Sequence, residues 1–368
     1  MRFQKREKRG KCYEEKNALL VLSAMLSLAL VACGGGNAGS GSSGGSSSGS
    51  SSGSTAGQSE QPASRYPEKP IVMVAPSGAG GGWDKTARSL GKVLNESKLI
   101  EQPITVENKP GGGGVVFMAE YVSKDKGNPY RLFVNSPPIL INYNKKEGNS
   151  PFGYKDVTPL AQMTKDFGAV VVKADSPYQD LKSLLEALKT DPSKITLAGG
   201  SAPGSMDHLV SVLPAAKYGI DPKKVKYVSY DGGGEAIAAL LGNNADMIAT
   251  DASGITEYLK AGKIRVLGVT SEERLGGDLK DVPTLKEQGI DATFNIWRGV
   301  FGPPDMPADA KAFWEGKLKE LSESEDWKKE LEANGWESEY RGAADFTTFL
   351  DEQDKLVQEL LASLGMSK

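Results

Sequence analysis

The chain has 368 residues, with 44 Lys and Arg against 47 Asp and Glu, one His and two Cys. That length points to about two domains and is ample for a buried core. A net charge of −3 lacks the basic face that a nucleic-acid partner needs, and one His with two Cys leaves no material for a zinc site or a disulfide-stapled fold.

The N-terminus reads as an address. Arg2, Lys5, Arg6, Lys8, Arg9, Lys11 and Lys16 make a basic start, and Ala18 to Ala32 is then apolar or small without a charge. Such a run is short for a membrane span and has the form of a secretory signal peptide. It ends in Leu30-Val31-Ala32-Cys33, which resembles a bacterial lipobox. Residues 1–32 are therefore expected to be removed, and Cys33 to carry lipid as the new N-terminus. Cys12 would leave with the leader, so no cysteine redox or metal chemistry remains. The stretch 33–65 is mostly Gly and Ser. It cannot bury apolar area, and is expected to be a flexible tether with an r.m.s. reach of roughly 30 Å.

From Tyr66 onward the pattern alternates strands and helices. Ile71–Ala75 is a continuous apolar run, the mark of a strand buried on both faces. A helix is predicted over Trp83–Asn95, then a strand at Ile104–Glu107, a helix ending near Ser123 and a strand at Arg131–Val134. Further strands are predicted at Ala169–Val172, Ile195–Ala198, Val225–Val228, Asp246–Ala249 and Val266–Val269. Helices near 180–189, 205–218, 235–241 and 255–261 separate them. Three amphipathic helices close the chain, over 308–321, 327–334 and 344–364. Alternation of this kind implies parallel sheets in an α/β architecture. Two α/β lobes with a ligand cleft between them accommodate this many strands. The ligand is then expected at the carboxyl ends of the strands.

Four turns at those ends carry most of the glycine outside the tether. They are Pro76 to Asp84, Asn108 to Gly114, Gly199 to Ser205 and Asp231 to Gly234. Glycine lets backbone approach a ligand, and helix N-terminal N–H groups suit an anion. The turns hold no Arg, and Lys109 stands in one of them, so an anion is expected to be gripped by neutral donors. Gly81 is expected to need a positive φ. Enzyme motifs fail here. Gly78-Ala79-Gly80-Gly81-Gly82-Trp83 has Trp where the dinucleotide fingerprint needs Gly or Ala, and Asp84-Lys85-Thr86 lacks the Gly of a phosphate-binding loop. Gly199-Gly200-Ser201-Ala202-Pro203 ends in Pro where a nucleophile elbow has Gly. His208 is the sole histidine and is expected to orient a ligand hydrogen bond or to brace its turn. No catalytic residue is assigned, and neither a cofactor nor a metal is expected.

Several fragments occur together in one order: Tyr66-Pro67-Glu68-Lys69-Pro70-Ile71, Gly80-Gly81-Gly82-Trp83-Asp84, Glu107 to Gly114, Gly204-Ser205-Met206-Asp207-His208-Leu209, Asp281 to Gly289 and Trp297 to Pro304. The set resembles the solute receptors of tripartite tricarboxylate transporters, the family that includes the Bordetella uptake gene products. This resemblance implies a two-lobed periplasmic-binding-protein fold of type II, with the C-terminal helices returning to the first lobe. Lobe 1 is expected to be 66–168 plus 299–368 and lobe 2 to be 169–298, with hinges near Phe167–Ala169 and Asn295–Gly299. The family's ligand is a small di- or tricarboxylate, held largely by backbone N–H groups and waters. By position the first-lobe contacts are Ser77, Ala79, Gly80, Gly81, Asn135 and Ser136. Those of the second lobe are Ser201, Gly204, Ser205, Asp231, Gly232 and Gly233, with His208 nearby. Asp84 stands at the family's acidic position, where it holds a water, caps the helix or meets a ligand ammonium or hydroxyl. Trp83 and Pro137-Pro138 depart from the family pattern. The implied protein is not an enzyme. It is an extracytoplasmic, lipid-anchored monomer that serves integral-membrane transporter subunits. A ligand sensor of a signalling system and a secreted hydrolase are the alternatives.

Overall fold

A computed structural model describes residues 65–368. The leader, Cys33 and the tether lie outside the described residues. The first group of strands is β1 (Ile71–Ala75), β2 (Ile104–Asn108) and β3 (Arg131–Asn135), with β1 parallel to both neighbours. Between them run α1 (Gly82–Glu96) and α2 (Val115–Lys124), and α3 (Pro138–Asn144) follows β3. The apolar run of β1 is buried at four of five positions, as a strand covered on both faces requires. In α1 the buried Ala87, Leu90, Val93 and Leu94 recur at helical spacing and form the face that meets the sheet.

β4 (Thr158–Lys173) then runs for 16 residues. The second group follows: β5 (Thr196–Gly199), β6 (Lys226–Ser229), β7 (Met247–Asp251) and β8 (Ile264–Val269), separated by α4 (Leu181–Thr190), α5 (Met206–Lys217), α6 (Gly233–Leu241) and α7 (Thr256–Lys260). At the start of α4 the Asp180 carboxylate accepts from the Ser183 N–H at 2.7 Å, an N-cap. β9 (Asn295–Gly302), α8 (Ala308–Glu323), α9 (Glu325–Asn334), β10 (Glu337–Gly342) and α10 (Ala343–Ser363) complete the chain.

β4 and β9 join the two groups. Residues 158–167 of β4 pair antiparallel with β9, and part of that stretch also with β10; from Gly168 onward β4 pairs antiparallel with β7 and β8. The sheets are therefore mixed, where alternation of strands and helices had implied parallel ones. The parallel pairs are β1 with β2 and β3, and β5 with β6 and β7. The antiparallel pairs are those made by the crossing strands β4 and β9, which run against their neighbours in both groups.

Helices cover both faces of each strand group, which gives four apolar clusters. One packs α1, α8 and α9 around Trp314 and Trp327; a second packs α2, α3 and α10 around Phe133, Trp297, Phe301 and Phe346. The other two lie on either side of β5 and β7. The C-terminal helices return to the first strand group. Glu330 of α9 accepts from Ser89 Oγ of α1 at 2.7 Å and pairs with Lys92 at 2.8 Å. Phe346 is fully buried, edge-on to Trp297 at 5.5 Å and tilted to Phe301 at 5.4 Å. Phe346→Ala is expected to cost about 3–5 kcal/mol of stability. Urea midpoints measure it; a loss below about 1 kcal/mol would show that α10 is not fastened by this ring.

Candidate functional site

The cleft is built where the strands end. The turns after β1, β2, β5 and β6 converge with the end of β7 and the middle of β9 around a space of about 500 Å3, counting its open mouth. Ser77, Gly81, Gly82 and Trp83 line one side; Gly200, Ser201, Asp207, Asp231, Gly232 and Gly233 line the other; Thr250, Asp251 and Arg298 also border it. This is the carboxyl edge of the parallel strands, where open α/β sheets bind ligands.

The two sides meet through backbone. The Gly78 N–H donates to the Asp231 carbonyl at 2.7 Å. A Cβ on Gly81 would stand 3.4 Å from the Gly233 nitrogen, and one on Gly234 would stand 3.1 Å from the Ala79 carbonyl. A Cβ on Gly200 would collide with the backbone of Gly232 and Gly233. Glycine here serves close approach. Gly81 has φ −80°, an ordinary value, so the positive φ expected there belongs to its neighbour Gly80, at +80°. At Gly82 any side chain would run into the Arg298 guanidinium and the Asp251 carboxylate.

Two helices whose first residues line the cleft begin without side-chain caps. α1 starts at Gly82 behind Gly81, and α6 starts at Gly233 behind Gly232. Their first N–H groups have no side-chain partner at the cap, an arrangement that suits an anion. α5 differs. Ser205 stands at its N-cap position but its side chain does not cap; Ser201 Oγ accepts from the Asp207 N–H at 2.8 Å instead. The Ser205 hydroxyl is buried with no hydrogen-bond partner.

Asp84 braces the first turn. Its carboxylate accepts from the Gly80 N–H and Asn108 Nδ2, each at 2.9 Å, and pairs with Arg88 at 2.9 Å. Burial raises its pKa, but these partners outweigh burial and hold the carboxyl below its ordinary range. Asp84 does not border the cleft. Trp83 does, and its indole N–H donates to Ser136 Oγ at 2.8 Å, while Asn135 Oδ1 accepts from the Ser136 N–H at 2.8 Å. Asn135 and Ser136 thus sit behind the Trp83 wall. Ala79 and Gly80 are exposed beside the opening. His208 braces its turn: Nδ1 accepts from the Gly204 N–H at 2.8 Å. Both residues face a different cavity. Of the residues named from sequence, the structure brings Ser77, Gly81, Ser201, Asp231, Gly232 and Gly233 to the cleft.

Sequence reasoning missed the charged floor. Arg298 of β9 is 1% exposed and pairs with Asp251 at 2.7 Å. Its Nε and Nη1, and Asp251 Oδ1, have no hydrogen-bond partner. An arginine therefore borders the cleft after all, supplied by a strand and already neutralised by a carboxylate; Lys109 turns instead to Glu107 at 3.2 Å. Asp166 lies beside this pair, held by Ser253 Oγ at 2.6 Å; burial, with Asp251 next, pushes its carboxyl well up. Asp207 is buried and accepts from the Gly200 N–H at 2.6 Å; burial and Asp251 push its pKa up to about 8. A usable signal existed: Arg298 interrupts the apolar run Ile296 to Phe301, where an unpaired charge is too costly to bury. Among the described residues no group of His, Cys, Asp or Glu side chains is disposed to hold a metal ion.

The model of the tripartite tricarboxylate transporter family receptor matches residues 87–366. A UPF0065 protein of Cupriavidus necator is 29% identical over 309 residues, 83% of this chain and 90% of that protein. The periplasmic binding protein BugD superposes with a TM-score of 0.74 at 24% identity, covering 82% of this chain and all of that one. MatC from Rhodopseudomonas palustris, solved with bound malate, gives 0.72 at 21% identity, covering 80% of this chain and all of that one. Both superpositions show the shared two-lobed α/β fold.

The buried Asp207 yields a pH prediction. Its ordinary carboxyl value is about 4, so from about pH 4 to about pH 8 the folded chain holds a proton that the unfolded chain has lost. The resulting stability is complete below about pH 4 and is lost as the pH rises toward about 8. Asp207→Asn removes this titration, and its melting temperature is expected to fall less across that window than the parent's. Parallel profiles would overturn the assignment.

Proposed function

The chain belongs to the tripartite tricarboxylate transporter receptor family, and on that premise we propose that it is an extracytoplasmic receptor for a small di- or tricarboxylate, which it delivers to the integral-membrane subunits of such a transporter. The observation that carries this reading is the pair of uncapped helix N-termini, α1 and α6, facing one cleft from opposite sides. A carboxylate between them would accept from backbone N–H groups and meet the positive ends of two helix dipoles. MatC, which shares the fold, was solved with malate.

Magnitudes favour a reversible binder. A helix terminus contributes roughly 0.3–1 kcal/mol to a nearby charge and up to about 2 when partly buried. Hydrogen bonds to a charged group contribute about 1.5–3 kcal/mol each. Two turns on each side reach micromolar affinity, about −8 kcal/mol, after ordering costs. Arg298 adds a fixed positive charge near the base of the cleft, tempered by Asp251. On this reading the chain performs no chemistry on its ligand. The lobes are 66–168 plus 299–368 and 169–298, and they close by bending at the two crossing strands, near Phe167–Ala169 and Asn295–Gly299.

No helix among the described residues is long and apolar enough to cross a membrane. Attachment is assigned to lipid on Cys33, with 33–65 as the tether of a monomeric receptor. A sensing role would use the same cleft; a pull-down that recovers transporter subunits would decide for transport, and one that recovers none would decide against it.

Calorimetry against mono-, di- and tricarboxylates, neutral analogues and amines tests the reading. The best ligand is expected to be a di- or tricarboxylate with a Kd of order micromolar. Gly81→Val, which sets a side chain between the two walls where a Cβ already stands 3.4 Å from the Gly233 nitrogen, should weaken it at least ~100-fold, about 2.7 kcal/mol. A best ligand without a carboxylate, or parental affinity in Gly81→Val, sinks the proposal. For the anchor, Cys33→Ala should move the protein from the membrane fraction to the soluble one or leave it unprocessed. Unchanged partition and processing would refute lipidation.

A further inference from the structure

A second cavity lies beside the cleft and shares none of its lining residues. The close approach of Gly113 to Ala202 separates the two; a Cβ on Gly113 would stand 3.2 Å from that of Ala202. This cavity holds about 1370 Å3 of empty space, counting its open mouth. Its walls come from the start of α2, the loop after α3, the turn before α5 and the C-terminus.

The lining has two characters. Val115, Val116, Ala202, Pro203 and Met366 make it apolar, and Val116 is 60% exposed. Against these stand Lys145, Lys146 and Lys223, with Glu147 as the one carboxylate among the lining residues. Among the described residues no carboxylate pairs with any of the three lysines within 4.0 Å, although the protein as a whole is acidic. Lys145 is 2% exposed, and its ammonium has one protein acceptor, the Pro203 carbonyl at 3.1 Å. An ammonium has three N–H donors, so two are left to fill. Burial lowers its pKa to about 8, which an anionic partner would reverse. The backbone fixes this lysine: its N–H bonds Ile141, and the neighbouring Lys146 N–H donates to the Met366 carbonyl at 2.9 Å. His208 also lines the cavity. Because Nδ1 accepts from Gly204, the ring's proton is assigned to Nε2, which has no partner among the described residues.

We propose that this cavity is a second ligand site, for an amphipathic monoanion: a carboxylate on an aliphatic or aromatic body. Lys145 takes the carboxylate, with His208 close by as a further donor, and Val115, Val116, Pro203 and Met366 cover the apolar body. A short polycarboxylate fits poorly, since against the apolar wall its further carboxylates would be buried without polar partners. The site is independent of what the cleft binds.

The test is calorimetry on the full chain with octanoate, and with octan-1-ol and octylamine as neutral and cationic comparators. Octanoate is expected to bind one to one and at least tenfold more tightly than either comparator. Lys145→Met should weaken octanoate at least tenfold and leave octan-1-ol unchanged. Val116→Asp, at an exposed position that does not threaten folding, should weaken octanoate similarly. The Gly81→Val chain, whose cleft is obstructed without touching the Arg298–Asp251 pair, should melt near the parental temperature and bind octanoate as the parent does, which separates this proposal from that for the cleft. No octanoate binding, octylamine binding as tight, or loss of octanoate binding in folded Gly81→Val would each overturn the second site.

Discussion

The arrangement depends on one buried ion pair. Arg298 leaves β9, Asp251 ends β7, and the two meet beneath Gly82, the first residue of α1. Three segments that are distant in sequence are thereby tied at one point. Neither charge can be removed alone, because the other would stay buried without compensation, at a cost of about 3–5 kcal/mol. The pair also explains two neighbours. Asp166 and Asp207 are pushed toward their neutral forms by burial first and by the negative charge of Asp251 next, with Arg298 opposing the shift in both. Gly82 must be glycine because the pair occupies the space of a side chain. A cleft with such a floor is shaped before any ligand enters it, which lowers the ordering cost of binding.

Much of the architecture was legible in the sequence, because each short parallel strand is a compact apolar run followed by a glycine turn. The first half of β4 was not. Its Gln162, Thr164 and Asp166 are buried, and three polar residues at alternate positions read as a solvated stretch until the elements that cover them are known. β10 was missed for a related reason: Glu337 to Gly342 is an edge segment with no buried position, recruited by antiparallel pairing to β4. Both misses concern the crossing strands and their partner, and they also hid the mixed character of the sheets.

The site divides in the same way. Glycine-dense turns can be read locally, since a strand end followed by glycine and a helix start is a short-range pattern. Arg298, Asp207 and Asp251 act through contacts between distant segments, and nothing local distinguishes Asp251 from any acid at a strand end. Ser205 illustrates the opposite error. Its position at the head of α5 suggested a donor to ligand, yet Ser201, four residues earlier, makes the cap bond and the Ser205 hydroxyl points at no partner. Asp84 stands at the family's acidic position, where the sequence leaves a ligand contact and a structural role both open; its bonds to the Gly80 N–H and Asn108 make it a brace of the first glycine turn.

The Trp83 wall has an optical consequence. The sequence has five tryptophans, and Trp297, Trp314, Trp327 and Trp336 are buried in apolar clusters. Trp83 alone borders the cleft, with its indole N–H on Ser136. Any molecule that enters changes the polarity around the one indole of five that borders the cleft. The protein thus carries a built-in fluorophore whose emission responds to occupancy of the cleft, with no label attached.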